Sequence, residues 1–384
     1  VRTSCPVCEG DRLFVFLERN GVPVHLNFLV RTEDAARAIP RGDLRLACCE
    51  SCGFITNLAF RSELLRYRDA YESDRSQSPV FEGHVSRLVS RLVDTGVRKK
   101  FVIEIACGQG EFLTHLCEAG DNRGLGFDPS YMGQDSLEGA RVTFRRDFFR
   151  RQCVREAADV VICRHLLGHL PDPMTFLREA SGVLREGSGM LSFEIADVDW
   201  SLRHTVVQDF FYEYCSYFTE ASLRFACERA GFSRFEVSRE FGSQYLWIDS
   251  HTEGTLPAAR SPAPGETQKS ARHYQESEPA KLKQWRQVLE RVGAKGPVAI
   301  WGAGGKGATF ANLMDPTREL VDCVVDVNSR RRGSFIPGTR HPVVSPHELR
   351  ARGVRQVLVM NPNYTEEIRA ACDPDIEVHN EGAP

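Results

Sequence analysis

No run of apolar residues in this 384-residue chain approaches the roughly 18 needed to cross a bilayer. No block of lysine and arginine stands out either. The 49 basic and 52 acidic side chains leave a formal charge of −3, so nothing points to nucleic acid. A charged-then-apolar leader is missing at the start, where Cys5 already appears. The 13 cysteines are odd in number and scattered, which fits a reducing cytoplasm better than a disulfide framework. What is present is ordinary apolar content, 42%, and a length that allows two or three domains, each but the smallest with a sizeable core.

Four cysteines fall into a pattern. Cys5-Pro-Val-Cys8 and Cys49-Glu-Ser-Cys52-Gly53 are two tight knuckles, each aiming two thiolates at one point. Together they make a closed S4 site suited to structural zinc; four thiolates leave no open position for catalysis. A redox pair or coincidental repeats are the alternative. A module of residues 1–68 has too small a core to fold well alone, so the metal would supply folding energy. His25, between the knuckles, reads as a packed or exposed histidine rather than a ligand.

The stretch from Phe101 to Asp128 carries the main signal. An apolar strand runs into Ala106-Cys-Gly108-Gln-Gly110, a helix follows, and a second strand ends in Asp128. Glycines there let the backbone approach a ligand, and the carboxylate about 20 residues on accepts ribose hydroxyls. Leu113 stands where a dinucleotide fingerprint has its third glycine. A pyrophosphate needs that close helix; S-adenosylmethionine has no phosphate. The loop therefore reads as a methyl-donor site, with NAD or a purely structural turn as alternatives. Further strands are expected over 141–144, 158–163, 190–195 and 244–248, giving a domain over 69–250. Asp147, just past the third strand, is placed to accept an adenine amine or to cap a helix. His165 and His169 follow the fourth strand at its ligand-binding end. The segment from Asp209 to Thr219 holds Tyr212, Glu213, Tyr214 and Tyr217, a density of hydroxyls that favours a polar pocket wall over plain core.

Residues 251–277 read as a mobile linker, from their Pro, Gly, Ala, Ser and Thr content. A helix is expected over 278–292, opening a C-terminal Rossmann-like domain over 278–384. Its strand enters Gly302-Ala-Gly304-Gly-Lys306-Gly307, and Asp326 ends the next strand. Taken alone this pattern argues for NAD. Lys306 within the loop argues instead for gripping an anion such as a nucleotide diphosphate. A structural turn is the third possibility.

The whole arrangement is α/β: a small zinc module, a class I methyltransferase domain and a Rossmann-like tail. It resembles the sugar C-methyltransferases that act on nucleotide-linked keto-deoxysugars in antibiotic biosynthesis, over nearly the full length. The resemblance rests on the four cysteines, Glu104 to Gly110, Phe211 to Phe218, Gly302 to Thr309 and Pro337-Gly338-Thr339. It implies structural zinc on Cys5, Cys8, Cys49 and Cys52. It implies a donor bound by Gly108, Gly110 and Asp128, a set that Glu104, Ala106, Asp147 and Tyr71 complete. Glu213 matches the family's acid. Lys306, Thr309 and Asn363 match substrate-domain positions, with Gly304 in the same loop. The substrate would be a nucleotide-linked sugar, and the protein a monomer or small homo-oligomer. The family histidine is Tyr214 here, its leading tyrosine is Phe211, and the first glycine of the donor loop is Ala106.

Methyl transfer from a sulfonium needs nucleophile and methyl at near-attack distance in a dry site. A carbon nucleophile beside a ketone also needs a base and something to stabilise the enolate. A tyrosine titrates near about 10, and an adjacent glutamate raises that further. His165 is therefore the candidate base, with Glu213 orienting and Tyr212 and Tyr214 donating hydrogen bonds. O-methylation of a similar substrate, an NAD-dependent oxidoreductase, and a binding protein without turnover are the rivals.

Overall fold

The computed structural model describes residues 2–66, 71–72, 74–133, 140–252 and 265–380. Among these, three sheets account for the strands.

The N-terminal sheet holds β1 (Leu13–Pro23), β2 (Arg41–Cys49) and β3 (Ile55–Asn57), all antiparallel, with α1 (Glu33–Arg37) between the first two. β1 was not expected from the sequence. It is irregular against β2, with register shifts between Val15 and Leu17 and between Arg19 and Val22, which blurs its two-residue period. The second knuckle follows β2, where Gly53 N–H bonds to the Cys49 carbonyl at 2.9 Å.

The central layer begins with α2 (Pro79–Asp94), capped by the Ser78 hydroxyl and burying Phe81, His84, Leu88, Val89, Leu92 and Val93. Then come β4 (Phe101–Ile105), α3 (Glu111–Gly120), β5 (Arg123–Phe127), β6 (Val142–Arg145), β7 (Val160–Arg164), α4 (Pro173–Ser181), β8 (Met190–Ala196) and α5 (Val198–Arg203). β9 (Ser216–Tyr217) leaves this domain to pair with β3, tying the N-terminal sheet to it. α6 (Glu220–Arg229), opened by a Thr219–Ser222 capping box, leads to β10 (Arg234–Glu240) and β11 (Tyr245–His251). The sheet order is β10-β11-β8-β7-β4-β5-β6. β11 runs antiparallel to both neighbours; the strands from β8 to β6 are parallel. This is the doubly wound class I methyltransferase order, with the strand order reversing between β4 and β7. Ligands bind such sheets at that switch point.

The linker expectation needs correcting. Residues 253–264 lie outside the described residues, but α7 runs from Glu266 to Gly293 rather than starting near 278. Its early turns bury only Thr267, Ala271 and Tyr274, and of these Ala271 and Tyr274 join the N-terminal cluster, where Tyr274 packs edge-on against Phe16 and Phe210. Composition hid these turns, because so few of their residues are buried. β12 (Val298–Trp301), α8 (Gly305–Met314), β13 (Val321–Val325), β14 (Val343–Val344), β15 (Gln356–Val359), α9 (Thr365–Ala371) and β16 (Glu377–His379) complete the chain. The last sheet is parallel throughout, in the order β14-β13-β12-β15-β16. It has the same switch point, between β12 and β15. No helix among the described residues is long and apolar enough to cross a membrane.

Candidate active site

The switch points of the two doubly wound sheets open on one cavity of about 860 Å³. On the central side, the turn after β4 takes three residues into the left-handed region: Ala106 (φ 60°), Gly108 (φ 56°) and Gly110 (φ 87°). Gly108 N–H donates to Asp128 Oδ2 at 2.9 Å. Asp128 Oδ1 accepts from the Ser130 amide at 2.7 Å and its hydroxyl at 2.6 Å. A carboxylate offers about four acceptor positions, so roughly one remains for a ligand hydroxyl. Glu104 lies at the end of β4, 2% exposed, with Oε2 lacking a partner. Burial pushes its carboxyl up to about 8, against the pull of Arg164.

Behind the end of β7 is a buried hub that sequence reasoning missed. Glu194 on β8 accepts from Arg164 Nε at 2.8 Å, lies 3.2 Å from His165 Nε2, and meets His84 Nε2 on its other oxygen. Burial alone would raise this carboxyl; Arg164 and His165 outweigh burial and hold it well below the usual range. Burial lowers His165 to about 4, despite the opposing pull of Glu194. Its imidazole is therefore neutral at pH 7, with a carboxylate behind it. The available signal was a glutamate within the otherwise apolar run Phe193-Glu194-Ile195, beside an Arg-His pair at the end of the neighbouring strand.

Several expected residues do line the cavity: Tyr71, Glu104, Ala106, Gly108, Asp128, Asp147, His165, Tyr214, Gly304 and Lys306. Asp147 is exposed, and one of its oxygens accepts from the Phe148 amide at 2.8 Å. Tyr214 packs edge-on against His169, ring centres 4.6 Å apart, and burial pushes its phenol well above its ordinary value. Its hydroxyl stays protonated, a donor and not a base. Lys306 is held by Asp209 and sits 5.3 Å above the Trp200 ring.

Five expected residues do not line it. Gly110 faces Phe144, whose ring would lie 2.3 Å from a Cβ there, so it serves packing. Tyr212 is fully buried beneath Gly42, and its hydroxyl accepts from the Arg61 amide at 2.9 Å. Glu213, also fully buried, accepts from Asn27 Nδ2 at 3.0 Å and lies 3.7 Å from His25, joining the central domain to the N-terminal module. Thr309 turns back on its own helix, donating to the Gly305 carbonyl at 2.7 Å. Asn363 donates to the Phe241 carbonyl at 2.7 Å and braces the β10–β11 turn. Its neighbour Asn361 is the cavity residue, in a reciprocal amide pair with Gln244, both bonds 2.9 Å.

Outside the cavity lining, Cys5, Cys8, Cys49 and Cys52 bring their sulfurs within 4.8 Å of one another. The Cys5–Cys52 and Cys8–Cys49 separations are 3.6 and 3.4 Å. Zinc–sulfur bonds of about 2.3 Å in a tetrahedron put sulfurs about 3.8 Å apart, so the donor set fits zinc.

Comparison with known proteins agrees with this geometry. A family model described as a methyltransferase domain matches residues 77–237, and one described as a C-methyltransferase C-terminal domain matches residues 266–380. With the class I fold, these make the chain an S-adenosylmethionine-dependent methyltransferase. More particularly, it is 23% identical over 394 residues to the C-methyltransferase NovU of Streptomyces niveus, covering 95% of this chain and 91% of that relative. The matches together support a C-methyltransferase. Among solved structures, it is similar to the 1,6-didemethyltoxoflavin-N1-methyltransferase of Burkholderia thailandensis (18% identity, TM-score 0.36, 46% of this chain and 82% of that one). It is also similar to the magnesium protoporphyrin IX methyltransferase of Synechocystis (18% identity, TM-score 0.36, 48% and 90%).

Proposed function

We propose that the chain methylates a carbon beside a ketone on a nucleotide-linked deoxysugar. The observation that carries this reading is the single cavity into which both switch points open. Its lining brings together a donor-type turn, a neutral histidine, a protonated phenol and a second nucleotide-type turn. S-adenosylmethionine supplies an electrophilic methyl group when bound. Glu104, Ala106, Gly108 and Asp128 hold it, with Asp147 and Tyr71 at the edge. His165 takes the proton from the acceptor carbon. Glu194, 3.2 Å behind it, stabilises the imidazolium that forms. Tyr214 donates to the acceptor, and Lys306 and Gly304 flank its phosphates. Glu213, Tyr212, Thr309 and Asn363 act by holding the walls. We read the four cysteines as a structural zinc site that lends the small module folding energy.

The test is incubation with methyl-labelled donor and a panel of keto-sugar nucleotides, reading the label's position by NMR. Label on carbon is expected. Label on oxygen would make the protein an O-methyltransferase, and no labelled product from any acceptor would remove the sugar reading.

A further inference from the structure

The cavity wall carries four arginine and lysine residues among those described: Arg75, Arg164, Lys306 and Arg331. Three are spoken for. Arg164 binds Glu194, Lys306 binds Asp209, and Arg331 donates to Asn27 Oδ1 at 3.0 Å and the Ala303 carbonyl at 3.1 Å. Arg75 differs. Its side chain makes one hydrogen bond, from Nη1 to the Tyr245 hydroxyl at 2.8 Å, and its guanidinium lies 3.9 Å from the centre of the Phe81 ring. No carboxylate pairs with it among the described residues. A guanidinium carries five N–H donors. A charge set among rings, with one neutral partner, is costly to bury without an anion to meet.

Position says which anion. Tyr245 opens β11, whose neighbour β8 lies beside β7, the strand that delivers His165. The same Tyr245 ring packs edge-on against His165, centres 4.8 Å apart. One phenol therefore touches both the candidate base and the unpaired cation.

We propose that Arg75 is a catalytic residue: its guanidinium receives the ketone oxygen of the acceptor and stabilises the enolate. This rests on the carbon-methylation reading above. In the step, the acceptor C–H bond breaks and its proton goes to His165. The electron pair enters the C–C bond, and the carbonyl π pair moves onto the oxygen facing Arg75. The enolate carbon then bonds the methyl, and the C–S electron pair stays on sulfur. A cation waiting where charge develops is worth most in a water-poor site.

Deuterium exchange isolates this step from methyl transfer. An acceptor methylated by the wild-type chain is held in heavy water with S-adenosylhomocysteine, and loss of its α-hydrogen is followed by NMR. Arg75→Met is expected to slow exchange about 100-fold, with affinity for S-adenosylhomocysteine by calorimetry kept within about twofold, which also shows the variant is folded. Arg75→Lys, which keeps the charge but not the fork, is expected to restore part of the rate. Exchange unchanged in Arg75→Met overturns the proposal. So does a drop of tenfold or more in S-adenosylhomocysteine affinity in folded Arg75→Lys, which would assign the guanidinium to the donor's carboxylate. If the wild-type chain methylates oxygen, or nothing, the carbon-methylation reading has failed and this one goes with it. Wild-type carbon methylation with unaltered exchange in Arg75→Met sinks this one alone.

Discussion

After β4 the chain leaves its sheet through three left-handed residues, Ala106, Gly108 and Gly110; after β12 it leaves through one, Gly302. The two turns otherwise follow one plan. In each, an amide of the turn and an amide two residues past the next strand's acid close on that acid. Asp128 takes Gly108 N–H at 2.9 Å and Ser130 N–H at 2.7 Å; Asp326 takes Ala303 N–H and Asn328 N–H, both at 2.8 Å. The differences lie around that core. Four residues before the donated amide, the central turn has buried, partnerless Glu104 and the C-terminal turn has Ala299. The C-terminal turn has its third glycine, Gly307, where a Cβ would lie 1.8 Å from the Gly302 carbonyl, so its helix sits hard on the loop. Its lysine is already neutralised by Asp209. One turn thus keeps polar capacity in reserve, and the other has spent much of it inside the protein. A shared backbone plan does not imply a shared ligand.

The sharpest way to break this comparison is to remove the same charge from both turns. Asp128→Asn is expected to weaken S-adenosylhomocysteine binding about 100-fold, near 3 kcal/mol, because hydrogen bonds to a charged acceptor carry the ribose. Asp326→Asn should leave that affinity within about twofold. Calorimetry on both variants decides it. Equal losses would mean that the two turns act as one donor site.

Glu104 sharpens the contrast through pH. Its folded pKa of about 8 lies above the ordinary 4.5, so across that window the folded chain keeps a proton that the unfolded chain has released. Stability from this group is therefore full below about pH 4.5 and is lost as pH rises through about 8. Glu104→Gln should match the wild type near pH 4 and exceed it by about 4 kcal/mol near pH 8. Denaturant unfolding at a series of pH values checks this; parallel curves for the two proteins would show that Glu104 is ionised when folded.

Legibility followed locality. The strand, turn and strand-end acid from Phe101 to Asp128 are contiguous, so spacing alone exposed the donor-type turn and the fold class. The paired knuckles at Cys5 and Cys49 repeat one local motif, so their meeting was readable too. What the sequence hid is long-range. Tyr212 looked like a pocket phenol, but its hydroxyl bonds to Arg61, 151 residues away. Glu213 looked catalytic, but Asn27, 186 residues away in the N-terminal module, donates to its carboxylate. Arg75 gave no signal because its neighbours Tyr245 and Phe81 come from separate elements. β10, which runs Arg-Phe-Glu-Val-Ser-Arg-Glu, is half-exposed, and its short alternation was too polar to stand out.

The smallest expected effect concerns Ala106, the one residue of the three left-handed positions after β4 that is not glycine. A Cβ at φ 60° crowds the following carbonyl, at about 1 kcal/mol or somewhat more. Glycine relieves that, but loosens the unfolded chain by about 0.5–1 kcal/mol. Ala106→Gly should therefore raise stability by no more than about 0.5 kcal/mol, a thermal shift of a degree or two at most for a chain this size. Gly302→Ala, its counterpart at φ 103°, gains the same unfolded-state contribution, but its strain is the larger, and it should lower stability by more than Ala106→Gly raises it. If Ala106→Gly instead weakens S-adenosylhomocysteine binding, the methyl group of Ala106 is itself a donor contact. The central turn would then depend on that side chain as well as on its backbone, a dependence that Gly302, with no side chain, cannot have.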